Sequence, residues 1–133
     1  IGYGTLGRAV ANVAPAFGME VLICQHLHGT PESNRLELDE LLARADIVSL
    51  HLPLTPQTTN LIAEREISLM KPGALLINAS RGGIVNEAAL ADAGARSAHA
   101  LQLPRSGHRI GIEHALVADN DLSFTNMFGQ SVR

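Results

Sequence analysis

Ile1-Gly2-Tyr3-Gly4-Thr5-Leu6-Gly7, continued by Arg8 to Phe17, is the stretch on which the fold turns. Three glycines spaced Gly-x-Gly-x-x-Gly stand before a segment in which Leu6, Val10, Val13 and Phe17 recur at three- and four-residue steps, the stripe of an amphipathic helix. At a strand-to-helix junction this spacing has a mechanical meaning. The first glycine permits a tight turn, the second leaves the backbone bare to an approaching pyrophosphate, and the third lets the helix pack closely. Thr5 and Leu6, opening the helix, then supply free N–H groups and a partial positive charge to an anion. Pro15 removes one backbone donor from the last turn, and Gly18 ends the helix. Glycine-rich turns are common, so the residues that follow decide the matter.

Working outward, Val21-Leu22-Ile23-Cys24 has the length and apolar character of a strand, and residues 25–36 are polar and turn-rich. Leu38, Leu41 and Leu42 mark a short helix that stops near Ala45. Asp46 to Leu52 reads as a strand buried on both faces, broken by Pro53-Leu54-Thr55-Pro56. A helix over Glu64 to Met70 is stopped by Lys71-Pro72-Gly73, and Ala74 to Ala79 is a further buried strand. Ser80-Arg81-Gly82-Gly83 turns the chain, and Asn86 is placed to cap a helix of Glu87 to Ala93. Strict alternation of helices with short apolar strands predicts an α/β fold, a Rossmann-type doubly wound parallel sheet with helices on both faces. From Gly94 the pattern changes. Ser97 to Leu103 reads as a strand and Ile110 to Val117 as a short helix, while Asp119 to Arg133 has no clear period. The expected organisation is a partial dinucleotide-binding domain over 1–93 and an atypical tail over 94–133.

Composition narrows the function. The 133 residues suit one domain, and a net charge of −3 with a pI near 6.0 lacks the basic face that nucleic acid requires. Four aromatic residues (Tyr3, Phe17, Phe124, Phe128) make a poor stacking platform for single strands. No run of 18 apolar residues is present, so no membrane span is expected. One cysteine, Cys24, forms neither an internal disulfide nor a thiolate cluster and reads as a small buried hydrophobe in a cytoplasmic protein. His26 and His28 have no third histidine close in sequence, so no metal is expected. The chain opens on Ile1 with no signal peptide, which reads as a piece of a longer chain. In the doubly wound order the strand before the glycine loop is central, and Ile1 is all that remains of it. Its neighbours are then left unpaired unless the tail or a partner fills the gap.

An acid is expected about 20 residues after the loop to bond both ribose hydroxyls of the dinucleotide and to repel a 2′-phosphate. Gln25 stands there instead. Its amide can hydrogen-bond but repels nothing, so either NAD or NADP is admitted. His26, His28 and Arg35 either face the phosphate or are solvated loop residues.

Three further segments resemble the NAD-binding domain of the D-isomer-specific 2-hydroxyacid dehydrogenases. They are Asp46-Ile47-Val48-Ser49-Leu50-His51-Leu52-Pro53-Leu54-Thr55, then Thr58-Thr59-Asn60-Leu61-Ile62, and the long run from Met70-Lys71-Pro72-Gly73 through Asn78-Ala79-Ser80-Arg81-Gly82-Gly83 to Leu90. With the glycine loop in register, the resemblance covers residues 1 to about 93, and the end of the Val21–Gln25 strand looks most like the glycerate dehydrogenase/hydroxypyruvate reductase branch. The resemblance implies hydride transfer between a nicotinamide and C2 of a small 2-hydroxy or 2-keto acid, in a homodimer formed through this domain. It implies a catalytic Arg81, whose planar fork suits a carboxylate. It also implies that Leu52 and Pro53 pass beneath the adenosine ribose, that Thr58 approaches the phosphates, and that Ala79 and Ser80 line the nicotinamide ribose. Gly2, Gly4, Thr5, Leu6, Gly7, Gln25 and Arg81 complete the expected contacts. His51, at a strand end, reads as a half-buried histidine and not as the general base.

The family continues with a strand ending in aspartate, a glutamate and a Pro-His pair that moves the proton. Residues 94–133 contain neither motif: Glu113 and His114 are adjacent, and His99 and His108 lack the context. The expectation is a tail of foreign or frame-shifted sequence joined near Gly94, and little or no turnover by this chain alone. A non-catalytic dinucleotide-binding module and an inactive remnant are the alternatives.

Overall fold

The computed structural model describes residues 1–27, 30–94 and 99–102, together with three two-residue strands near the end of the chain. Four helices and three strands build the part that positions the site. Helix α1 is Thr5–Val13, running on into a 3-10 helix over Ala14–Phe17 that Gly18 closes at φ +76°. Helix α2 is Leu38–Arg44, with Asp39 and Glu40 in its positive first turn and Arg44, bonded to Glu40 at 2.9 Å, in its last. Strand β1 is Ile47–Leu50, α3 is Glu64–Leu69, β2 is Leu75–Asn78, α4 is Glu87–Gly94 and β3 is His99–Gln102. Asn86 caps α4 as its sequence position predicts, its Oδ1 accepting the Ala89 N–H at 3.0 Å. The expected strand over Ser97 to Leu103 is β3.

The three strands form one parallel sheet in the order β1-β2-β3, with Ile47 opposite Leu75 and Leu75 opposite His99. Val48, Leu50 and Leu76 are buried on it with Leu41, Leu42, Ile62, Ile84 and Val85, and these side chains are the core. Glu66 accepts the Ala63 N–H at 3.2 Å to start α3, and Arg65 reaches across to Asp39 to tie α3 to α2. Strands β4 (Val117–Ala118), β5 (Phe124–Thr125) and β6 (Ser131–Val132) make a small antiparallel sheet. The rest of the helix expected over 110–117 lies outside the described residues. No helix among the described residues is long and apolar enough to cross a membrane.

Three expectations need correction, for one physical reason. Ile1 contributes a single rung beside β1: its amino group donates to the Ser49 carbonyl and its carbonyl accepts the His51 N–H, each at 2.8 Å. Beyond that rung a cleft of about 450 Å³ opens between β1, α1 and residues 21–24. Val21–Cys24, expected as a strand of the main sheet, is therefore extended backbone bridged to Leu36, with Leu36 N–H on the Ile23 carbonyl at 2.8 Å. Strand β1, expected to be buried on both faces, leaves Ile47 44% exposed at the cleft. The stripe on α1 also stands out in solvent, with Leu6 72% and Phe17 74% exposed, because little of the sheet lies beneath it. Gly7 is the buried residue of α1.

Candidate dinucleotide site

The glycine loop has the geometry its spacing predicts. Gly2 has φ +90°, and a Cβ there would lie 2.7 Å from the His51 carbonyl oxygen. A Cβ on Gly7 would lie 2.0 Å from the Gly2 carbonyl oxygen, so α1 packs onto the turn in a way that only glycine allows. At Gly4 a Cβ would meet nothing within 4 Å. The loop is thus closed at its first and third glycines and open at its second. The first intrahelical bond runs from Arg8 N–H to the Gly4 carbonyl at 2.9 Å. The amides of Thr5, Leu6 and Gly7 therefore have no partner within the helix and carry its positive end.

Parallel pairing places the carboxyl ends of β1 and β2 beside this loop. His51, half-buried Leu52 and exposed Pro53 follow β1; exposed Ala79, half-buried Ser80 and exposed Arg81 follow β2. Ser80 Oγ donates to the Leu50 carbonyl at 2.6 Å and ties the two ends together. Sequence reasoning missed Asn78, which is buried and holds the second turn. Its Nδ2 donates to the Arg81 carbonyl at 2.9 Å and its Oδ1 accepts the Ser80 N–H at 3.1 Å. A lone Asn at the end of an apolar strand was the available signal. Arg81 donates from Nη1 to the Ser80 carbonyl at 2.9 Å and, among the described residues, has no acidic partner.

Two of the expected ligand-contact residues make side-chain hydrogen bonds within their own loops. Thr58 is buried; its Oγ1 donates to the Pro53 carbonyl and accepts the Thr55 N–H, both at 2.7 Å, so the hydroxyl builds the turn after β1. Gln25 Nε2 donates to the carbonyls of Glu32 at 2.9 Å and Arg35 at 3.3 Å, and its Oε1 accepts the Glu32 N–H at 3.0 Å. Both of its N–H groups are spent on folding the loop back.

His51 is half-buried and bonded through Nε2 to Ser49 Oγ at 2.9 Å. Burial, and then the nearby α-amino group of Ile1, push its pKa down. Cys24 is buried and burial pushes its thiol up, away from reactivity. His26 lies 3.7 Å from Glu32. His28, His108, Glu113 and His114 lie outside the described residues.

Residues 1–101 match the sequence profile of the D-isomer-specific 2-hydroxyacid dehydrogenase NAD-binding domain. The chain belongs to that family. The chain is 44% identical over 93 residues to the glycerate dehydrogenase of Methylorubrum extorquens, a stretch that takes in 70% of this chain and 29% of that protein. It superposes at a TM-score of 0.65, with 42% identity, on a D-lactate dehydrogenase from Aquifex aeolicus solved with NAD and lactic acid, covering 72% of this chain and 30% of that one. It superposes at 0.66, with 34% identity, on an acyclic imino acid reductase solved with NADPH and D-Arg, covering 79% and 36%. The chain thus spans under a third of the glycerate dehydrogenase it matches. Its parallel sheet and helices are those of Rossmann-type D-2-hydroxyacid dehydrogenases, and the domain binds NAD in the family.

Proposed function

We propose that this chain carries, over residues 1–101, the dinucleotide-binding part of an oxidoreductase that moves a hydride between a nicotinamide and a small 2-hydroxy or 2-keto acid, such as glycerate/hydroxypyruvate or glyoxylate. The observation that carries the reading is the open backbone at Gly4 at the start of α1, whose first amides have no partner within the helix, in a loop packed through Gly2 against His51 at the end of β1. Gly2 and Gly7 shape the turn, Gly4, Thr5 and Leu6 contact the pyrophosphate, Leu52 and Pro53 carry the adenosine ribose, and Ala79 and Ser80 carry the nicotinamide ribose. Gln25 and Thr58 act as positioning residues, because their side chains fix the loops on which those contacts stand.

When bound, the nicotinamide supplies or takes up the hydride. Arg81 grips the substrate carboxylate through its planar fork and polarises the keto oxygen, a task that suits a guanidinium with no acidic partner among the described residues. The hydroxyl proton needs an acid–base group, and His51, held by Ser49, is poorly placed to serve. The chain alone is therefore expected to have little or no turnover. The full enzyme is proposed to be a cytoplasmic homodimer, and the exposed apolar residues of α1 offer a surface for that association.

Titration of the purified chain with NADH, and separately with NADPH, following nicotinamide fluorescence, tests the reading. Saturable micromolar binding that Gly4→Val abolishes without unfolding the chain is the expected result. Absence of binding to either nucleotide overturns it.

A further inference from the structure

The side chains around Tyr3, between the first two glycines of the loop, form a cluster that the family reading leaves unexplained. The Arg8 guanidinium carbon lies 5.4 Å, and that of Arg35 5.6 Å, from the centre of the Tyr3 ring. Arg8 also donates from Nε to the Tyr3 carbonyl at 3.2 Å. Arg35 arrives from far along the chain because Gln25 folds the loop back through its bonds to Glu32 and to the Arg35 carbonyl. Its side chain is 9% exposed and Nη2 pairs with Glu32 Oε1 at 3.0 Å, while Glu32 itself is 45% exposed. Two guanidinium groups thus lie against one aromatic ring, one of them paired with Glu32 and tied through its carbonyl to Gln25, which stands where an acid would otherwise hold the ribose hydroxyls.

We propose, building on the dinucleotide reading above, that Tyr3, Arg8 and Arg35 recognise a phosphomonoester on the adenosine ribose, so that the chain takes NADPH in preference to NADH. A neutral Gln25 removes the usual charge repulsion, and its carboxamide is what delivers Arg35. The phosphate brings a charge of roughly −1.5 to −2 and three acceptor oxygens. It therefore outcompetes the single carboxylate of Glu32, which sits on an exposed loop and can turn away to water. Arg35 retains guanidinium donors beyond Nη2 for a second bond, and Arg8, which has no acidic partner among the described residues, supplies another. The tyrosine ring holds both guanidinium groups close to the loop.

The probes are 5′-ADP and 2′,5′-ADP, titrated calorimetrically against the purified chain, which removes the nicotinamide from the comparison. The expected result is binding of 2′,5′-ADP roughly tenfold tighter than 5′-ADP, a difference that shrinks with added salt. Arg35→Gln erases the difference and leaves 5′-ADP affinity within about twofold, whereas Glu32→Gln widens it. Arg8→Gln, on an exposed helix position, loses part of the preference with the fold intact, so the test survives an Arg35 variant that fails to fold. Equal binding of the two probes, tighter binding of 5′-ADP, or a preference unmoved by both arginine variants overturns the specificity and leaves the dinucleotide reading standing. If neither probe binds, both fall together.

Discussion

Glycine at three positions does three different things. Gly7 is forced by contact, since a methyl group there would sit 2.0 Å from a backbone oxygen, whereas Gly4 has free space around it. Gly7→Ala is therefore expected to cost about 1–3 kcal/mol or more in a denaturant melt, because backbone has to move. Gly4→Ala should leave the melt unchanged and weaken dinucleotide binding, a contrast that separates a packing glycine from a ligand-facing one. His51 gives a pH prediction. Its folded pKa lies below the ordinary value of 6.5, through burial first and the neighbouring ammonium second, so the unfolded chain binds more protons. Stability from this group is complete above about 6.5 and is lost as the pH falls below it. Denaturation midpoints taken between pH 7.5 and 5.5 should decline, and His51→Gln should flatten that part of the decline. A slope unchanged by the substitution would remove His51 as its source.

The turns that follow β1 and β2 are closed by buried polar side chains. Asn78 is the main case: it closes the turn after β2 by bonding both the Ser80 N–H and the Arg81 carbonyl from a buried position. Asn78→Ala leaves those groups without their partner, and a loss of about 1–3 kcal/mol is expected from urea unfolding. On the proposed function, the same change in the full-length protein should lower kcat more than it raises KM for the dinucleotide, because it loosens the turn that carries Arg81. Equal effects on kcat and on nucleotide affinity would show that the turn serves the cofactor instead. Helix boundaries were legible in the sequence at Gly18, at Asn86 and at Lys71-Pro72-Gly73 because each depends on neighbours within a turn. The strand over 21–24 was not, because an extended run becomes a sheet strand only when partner backbones flank it, and here it is bridged to Leu36.

At the scale of the described fold, a cleft of about 450 Å³ lies beside β1. The cleft exposes apolar side chains of α1 and β1, among them Val10 and Ile47, both close to half exposed. An environment-sensitive apolar dye is expected to bind the native chain, and Val10→Asp, on the cleft wall, should reduce the signal while circular dichroism stays unchanged. Dye binding that survives the substitution would place the apolar surface elsewhere. The sequence by itself determined the alternation of helices and parallel strands, the division of labour among Gly2, Gly4 and Gly7, the cap at Asn86 and the family, since these rest on local sterics, periodicity and contiguous motifs. Only the tertiary structure decided that the α1 stripe lies in solvent, that Thr58 and Gln25 spend their polar groups on their own loops, that Asn78 holds Arg81 in place, and that Arg35 meets Tyr3. Each of those depends on which backbone or side chain comes near from a distant part of the chain. Such non-local pairing leaves no periodic trace in the sequence.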